Sequence, residues 1–336
     1  MPRRDIHDPY DFFEYVPVTG SEPPPDRDRV DVAILDMNHS WPNLGHDSIV
    51  HSILEAVEPM RGTLAGNGVK VRVLSYDVRR ALRLPERPNG RFQIYIGTGG
   101  PGHLDPRLND GVSDFSQGIS ESASWEKPLF SLYDAIANHP DAALIGICHS
   151  FGLMCRWSGV ARPVLRGEKS SGMPLNVLTD AGVADPWFAH FSGELRDGRH
   201  FRVIDNRLFD LIPERTAGVS VIARESETQE AVTIVEFARD SSGTIPRILG
   251  VNHHPEVIDR DHVMAVLDEK RAHGEVNEAW YREREETMRE MLNGEAERES
   301  RLTSHYTFIG PLRFHLSRLI DERTAELTRA EALAGQ

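Results

Sequence analysis

Three glycine-bearing segments, each following a run of aliphatic and β-branched residues, hold the side chains of this sequence best suited to bond-breaking chemistry. The middle one, GICHSFG from Gly146 to Gly152, carries Cys148 where a buried-type strand runs into a segment with helical spacing at Phe151, Met154 and Cys155. A strand-to-helix elbow lifts its apex residue above the sheet and sets it at a helix N-terminus, where the dipole favours a thiolate. Gly146 stands where backbones crowd at such a turn, which makes Cys148 the candidate nucleophile. The competing assignment takes Ser150 as the apex of an x-x-Ser-x-Gly elbow, but the first glycine is out of register. A cysteine closing a strand is otherwise a packing residue, and Cys155 is read that way.

The last segment, GVNHHPE from Gly250 to Glu256, places His254 and Glu256 two apart, so in extended chain both side chains leave one face. Pro255 between them stiffens the backbone and favours extension at His254. A carboxylate holding an imidazole makes the base that activates a thiol. His253 points the other way and reads as structural. The first segment, GTGGPG, formally satisfies G-x-G-x-x-G through Gly97, Gly99 and Gly102. Pro101, Pro106 and a polar stretch follow where a dinucleotide site needs a helix, and no Lys-Ser/Thr pair supports a P-loop. Adjacent glycines after a strand can instead turn backbone N–H groups toward a developing oxyanion.

Such residues need a scaffold that brings strand ends together. The runs at 30–37, 69–77, 92–99 and 142–148 have the continuous Val/Ile/Leu character of strands buried on both faces. Between them, 47–60 and 125–138 carry apolar residues at helical spacing, and the alternation predicts an α/β fold with a mostly parallel central sheet and helices on both faces. Further runs at 201–205, 219–223, 232–238 and 247–254 extend the sheet or form a hairpin layer beside it. Residues 1–29, with Pro23, Pro24 and Pro25, read as an N-terminal arm. Residues 261–336 read as a C-terminal helical extension, with a stripe from Val276 to Leu292 and a second one starting at Gly310 and Pro311.

The 336 residues carry a formal charge of −14, without a Lys/Arg run, which disfavours nucleic-acid and anionic-membrane partners. No apolar stretch approaches the ~20 residues a membrane span needs, and no apolar block marks a secretory signal, so the chain is expected in the cytoplasm. Cys148 and Cys155, about 10 Å apart on a helix, are too distant for a disulfide, and no Cys or His stands in a ligand-spacing pattern for zinc.

Together, GGPG, the GIC elbow and GVNHHPE resemble the class I glutamine amidotransferases, whose pattern is GGPG, then G-x-C-x-G-x-Q, then G-V-Q-x-H-P-E. The resemblance covers residues 30–260, the domain expected between arm and extension. It implies the flavodoxin-like fold of that family, with Cys148 as nucleophile, His254 as general base and acid, and Glu256 orienting it. The N–H groups of Gly100 and His149 would form the oxyanion hole, with Gly99, Gly102, Ser150 and Asn252 at the substrate and no cofactor or metal. The implied reaction forms a γ-glutamyl thioester from glutamine, frees ammonia for a synthase, here a separate protein, and hydrolyses the thioester.

The sequence departs from that pattern at Ser150 and at Gly152, which replaces the Gln that helps hold glutamine, and at Asn252. The FRVIDNR stretch also lacks the family's frequent substrate-side His. Two alternatives follow: a hydrolase for another γ-glutamyl compound, or a binding or regulatory protein with a relic site. Trp280, Tyr281, Tyr306 and Phe308 can dock a partner, make a homodimer contact through the C-terminal helices, or pack onto the body.

Overall fold

The structure, a computed structural model, describes residues 5–41 and 43–334. Its strands are β1 (Phe13–Pro17), β2 (Arg29–Asp36), β3 (Lys70–Asp77), β4 (Phe92–Gly97), β5 (Ala143–Ile147), β6 (Ala161–Gly172), β7 (Leu175–Leu178), β8 (His200–Arg202), β9 (Asp205–Pro213), β10 (Ser220–Glu225), β11 (Val232–Arg239) and β12 (Pro246–Val251). A ten-stranded sheet runs β1-β3-β2-β4-β5-β12-β11-β10-β7-β8. Strands β1 to β12 in that order are parallel and the rest antiparallel. The core order β3-β2-β4-β5-β12 is the doubly wound 2-1-3-4-5 arrangement, in which ligands bind beyond the carboxyl ends of the strands. The expected α/β class, with its mostly parallel sheet, is the one observed.

Both faces of the central strands are buried, which explains their unbroken apolar runs. Val32 and Ile34 of β2 point to a layer formed by α1 (Gly45–Val57), through Ile49, Ile53 and Val57. Ala33 and Leu35 point oppositely, to α3 (Glu126–Asn138), with Leu129, Leu132 and Ile136, and to Leu153 and Met154 of α4 (His149–Ser158). A short α2 (Arg61–Gly66) precedes β3, while α5 (Asp180–Ala184) and α6 (Phe188–Glu194) fill the loop after β7.

Of the two arrangements expected for the late strand-rich runs, extension of the sheet is the one observed, through β8, β10, β11 and β12. Strand β9 pairs with β6 in a separate two-stranded layer. The N-terminal arm adds β1 as an edge strand, Phe13 pairing with Val71.

After β12 come α7 (Arg260–Ala272), α8 (Glu278–Met291), α9 (Gly294–Ser304) and α10 (Gly310–Ala334). The last helix starts at Gly310 and Pro311, as expected, and a π-helical segment, His305–Ile309, joins it to α9 without a break. The widened turn accommodates a proline that has no N–H to donate. Phe308, Leu312, Leu316 and Ile320 pack into the core beside α1. Tyr281, Tyr306 and Phe308 are buried against the body, and Trp280 packs beside Tyr281, so the aromatic residues offered as a docking surface are engaged within the chain.

Candidate active site

A row of three glycines prepares the elbow. Gly97 of β4, Gly146 of β5 and Gly250 of β12 are register partners across three adjacent strands. A Cβ at Gly97 would stand 2.5 Å from Ser150 Oγ, while one at Gly146 would strike Met154 and one at Gly250 would strike Phe151. The missing side chains form a bed on which the first turns of α4 lie directly against the sheet.

At the lip of that bed Cys148 takes φ +48° and ψ −102°, a conformation costly for a residue with a Cβ. Its N–H donates to the Val251 carbonyl at 2.8 Å, and its carbonyl accepts from the Gly152 N–H at 3.0 Å. The side chain is half-buried. Cys155 is fully buried in the apolar cluster behind it, and burial pushes that thiol up, in keeping with a packing role.

The remote strand end reaches the same place. His254 Nδ1 lies 2.8 Å from Glu256 Oε1, and a Cβ at Gly99 would stand 3.1 Å from His254 Cε1 and 3.7 Å from Cys148 Cβ. Burial disfavours an imidazolium at His254, but Glu256 and the Cys148 side chain that meets it outweigh this, and its pKa is raised well above the ordinary histidine range. Glu256 is fully buried and lies at the start of α1, whose exposed N–H groups favour an anion. There Gly45 is required: a Cβ would stand 2.8 Å from Glu256 Oε1.

The remaining expected residues divide. The Gly100 and His149 amides, offered as an oxyanion hole, donate to no other described residue, and they flank the Gly99–Cys148 contact in sequence. Asn252, just past the end of β12, has its side-chain Nδ2 buried and unpartnered among the described residues. Ser150 and Gly102, the two other residues expected at the substrate, are each hydrogen-bonded within the chain. Ser150 is fully buried and donates its hydroxyl to the Thr98 carbonyl at 2.6 Å, which also removes it as a nucleophile. Gly102 gives its N–H to Gln117 Oε1 at 2.8 Å. His253 is buried with its Nε2 3.2 Å from Thr307 Oγ1, and burial lowers its pKa to about 3.

Three further features escaped sequence reading. Leu104 fills the space beside Gly152, its Cδ1 2.5 Å from where a Cβ would stand. Arg79, fully buried against Glu121, donates to the carbonyls of Met37 at 2.9 Å and Pro101 at 2.7 Å, clamping the glycine turn. Glu121 in turn accepts from Trp125 Nε1 at 3.0 Å and Asn109 Nδ2 at 2.6 Å.

The third is a buried ion pair on β9. Arg207 Nη1 lies 3.1 Å from Asp205 Oδ2, which also accepts from Ser170 Oγ at 2.6 Å. Asp205 Oδ1 is buried without a hydrogen-bond partner among the described residues, and Arg207 Nε lies 3.4 Å from Asp210 Oδ1 in a second ion pair. The His254 N–H donates to the Ile204 carbonyl at 2.8 Å, which sets Asp205 beside the histidine strand. Phe209, on the same face of β9, packs 4.7 Å from the His103 ring just past the glycine turn. No sequence pattern announces this pair, because it depends on how the β6–β9 layer folds over the strand ends.

No protein-family model matches the chain, and no curated protein matches it. Among solved structures it is similar to a glutamine amidotransferase from Thermotoga maritima, at 14% identity and TM-score 0.49, over 86% of this chain and 98% of that one. A glutamine amidotransferase from Methylobacillus flagellatus is 15% identical with TM-score 0.41, over 89% and 94%. The glutaminase domain of Trypanosoma brucei CTPS, with bound acivicin, is 14% identical with TM-score 0.42, over 73% and 95%. The chain itself is a doubly wound α/β protein with a Cys, His and Glu gathered at the carboxyl ends of its parallel strands.

Proposed function

We propose that the chain is a cysteine-dependent amidohydrolase or amidotransferase of the class I glutamine amidotransferase kind. The observation that carries this reading is the meeting of Cys148, on the β5–α4 elbow, with a His254 held by Glu256 from the end of β12. The reactive form of such a couple is the thiolate–imidazolium pair. The sulfur attacks the amide carbon, and the Gly100 and His149 N–H groups receive the oxyanion. His254 then gives its proton to the departing nitrogen, ammonia leaves, and a thioester remains on Cys148. Water, deprotonated by His254, attacks the thioester and frees the acid and the thiol. The ammonia would pass to a separate synthase protein.

Leu104 beside Gly152 favours a second reading of the substrate, a γ-glutamyl compound other than glutamine. In either case the Asp205–Arg207 pair is the group on hand to meet an amino-acid head, carboxylate to ammonium and guanidinium to carboxylate. Ammonia release from glutamine by the wild type and by Cys148→Ala tests the reaction. Release that depends on Cys148 supports it, and equal rates remove the catalytic assignment. Cleavage of a γ-glutamyl peptide with negligible ammonia from glutamine selects the second substrate reading.

A further inference from the structure

The first residues of the described arm meet the end of α7 in a cluster that shares no residue with the Cys148 site. Asp5, His7 and His273 bring two imidazoles and a carboxylate together, with one donor atom of each lying within 4.8 Å of the others. His273 Nε2 is 3.0 Å from Asp5 Oδ2, and the His7 and His273 rings are 5.0 Å apart between centroids. In a tetrahedral zinc site with bonds of about 2.0–2.2 Å, ligand atoms stand roughly 3.4 Å from one another, so small side-chain rotations close the set around an ion.

The arm is held for this purpose by the residue between its two donors. The Ile6 side chain is buried in the core, and its N–H donates to Glu269 Oε1 at 2.7 Å, one helical turn before His273. That anchor leaves Asp5, half-buried, and His7, exposed, beside the exposed His273. The Asp5 carboxylate is itself steadied by the His7 N–H, 2.8 Å from Oδ1. Hard ions such as Mg2+ and Ca2+ require oxygen ligands throughout, whereas two imidazoles and a carboxylate suit a borderline transition ion.

The geometry points to Asp5, His7 and His273 as a binding site for a divalent transition-metal ion of the zinc type, which ties the N-terminal arm to the end of α7. Spacing along the chain cannot reveal such a site, because its third ligand is remote in sequence from the other two.

The test is a zinc titration of the tag-free, chelator-stripped full chain against a chromophoric chelator. The site predicts about one equivalent bound. His7→Ala and His273→Ala should each weaken binding at least about tenfold, while His190→Ala, an exposed histidine elsewhere, leaves it unchanged. Both ligand histidines are exposed, and unaltered circular dichroism would establish that their variants remain folded. Failure of the wild type to compete for zinc overturns the proposal, as does equal affinity in wild type and either ligand variant.

Discussion

Leu104 occupies the volume that any side chain at position 152 would need, its Cδ1 standing 2.5 Å from the Cβ a replacement would introduce. The two residues are therefore a matched pair. Gly152→Gln alone should overpack the site and cost about 1–3 kcal/mol of stability. Adding Leu104→Ala should recover part of that loss and, with space for the amide, lower the KM for glutamine. Thermal unfolding and ammonia-release kinetics on the three proteins check this; a Gly152→Gln chain as stable as wild type contradicts the pairing.

Glu256 is the first of the groups that raise the His254 pKa, against a desolvation that lowers it. Glu256→Gln should bring the imidazole pKa down, visible as a downfield-to-upfield transition at lower pH in the His254 ring signals. The sign for stability follows. A raised folded pKa contributes stability in full below the unfolded value of about 6.5, and that contribution is lost as pH rises through the folded pKa. Wild type should lose stability relative to Glu256→Gln over that rise, measured by denaturant midpoints.

His253 carries the opposite dependence. Burial first, then the charges of His254 and Arg207, lower its pKa to about 3, so it stays neutral in the fold while the unfolded chain protonates near 6.5. Its contribution is complete above about 6.5 and is lost as pH falls toward 3, at up to about 1.4 kcal/mol per pH unit. His253→Gln, which retains a donor for Thr307 Oγ1, should flatten the acid limb of the stability curve. An unchanged slope contradicts this.

The Arg79–Glu121 pair holds the glycine turn through the Met37 and Pro101 carbonyls. Removing one partner strands a buried charge, so Arg79→Met should cost about 3–5 kcal/mol. Arg79→Met with Glu121→Leu should cost less than the single change, since no charge is then left alone. In the double variant, kcat should fall more than KM rises, because the turn positions the Gly100 N–H rather than the substrate. Unfolding and steady-state kinetics check both points.

Cys148, His254 and Glu256 were legible because each follows a buried strand and carries its local signal with it: glycine at the elbow, proline between His254 and Glu256. The central strands were legible for a related reason, since burial on both faces leaves unbroken apolar runs. Strand β6 was not, because half of its twelve residues are exposed and four are charged, and β1 gave no signal because it is a short edge strand of mixed burial. The supporting residues were out of reach for another cause. Arg79 meets Glu121, Gly45 meets Glu256, and Asp205 comes beside His254 only after the chain folds; no local period records those meetings.

The pairing of Cys148 with His254 is tested most directly by mass spectrometry of the protein exposed to a glutamine-mimicking alkylator. One adduct should form, on Cys148 and not on buried Cys155, and its rate should fall by about tenfold or more in His254→Ala. Labelling of neither cysteine, or labelling of Cys148 at the same rate without His254, would contradict a sulfur activated by that imidazole.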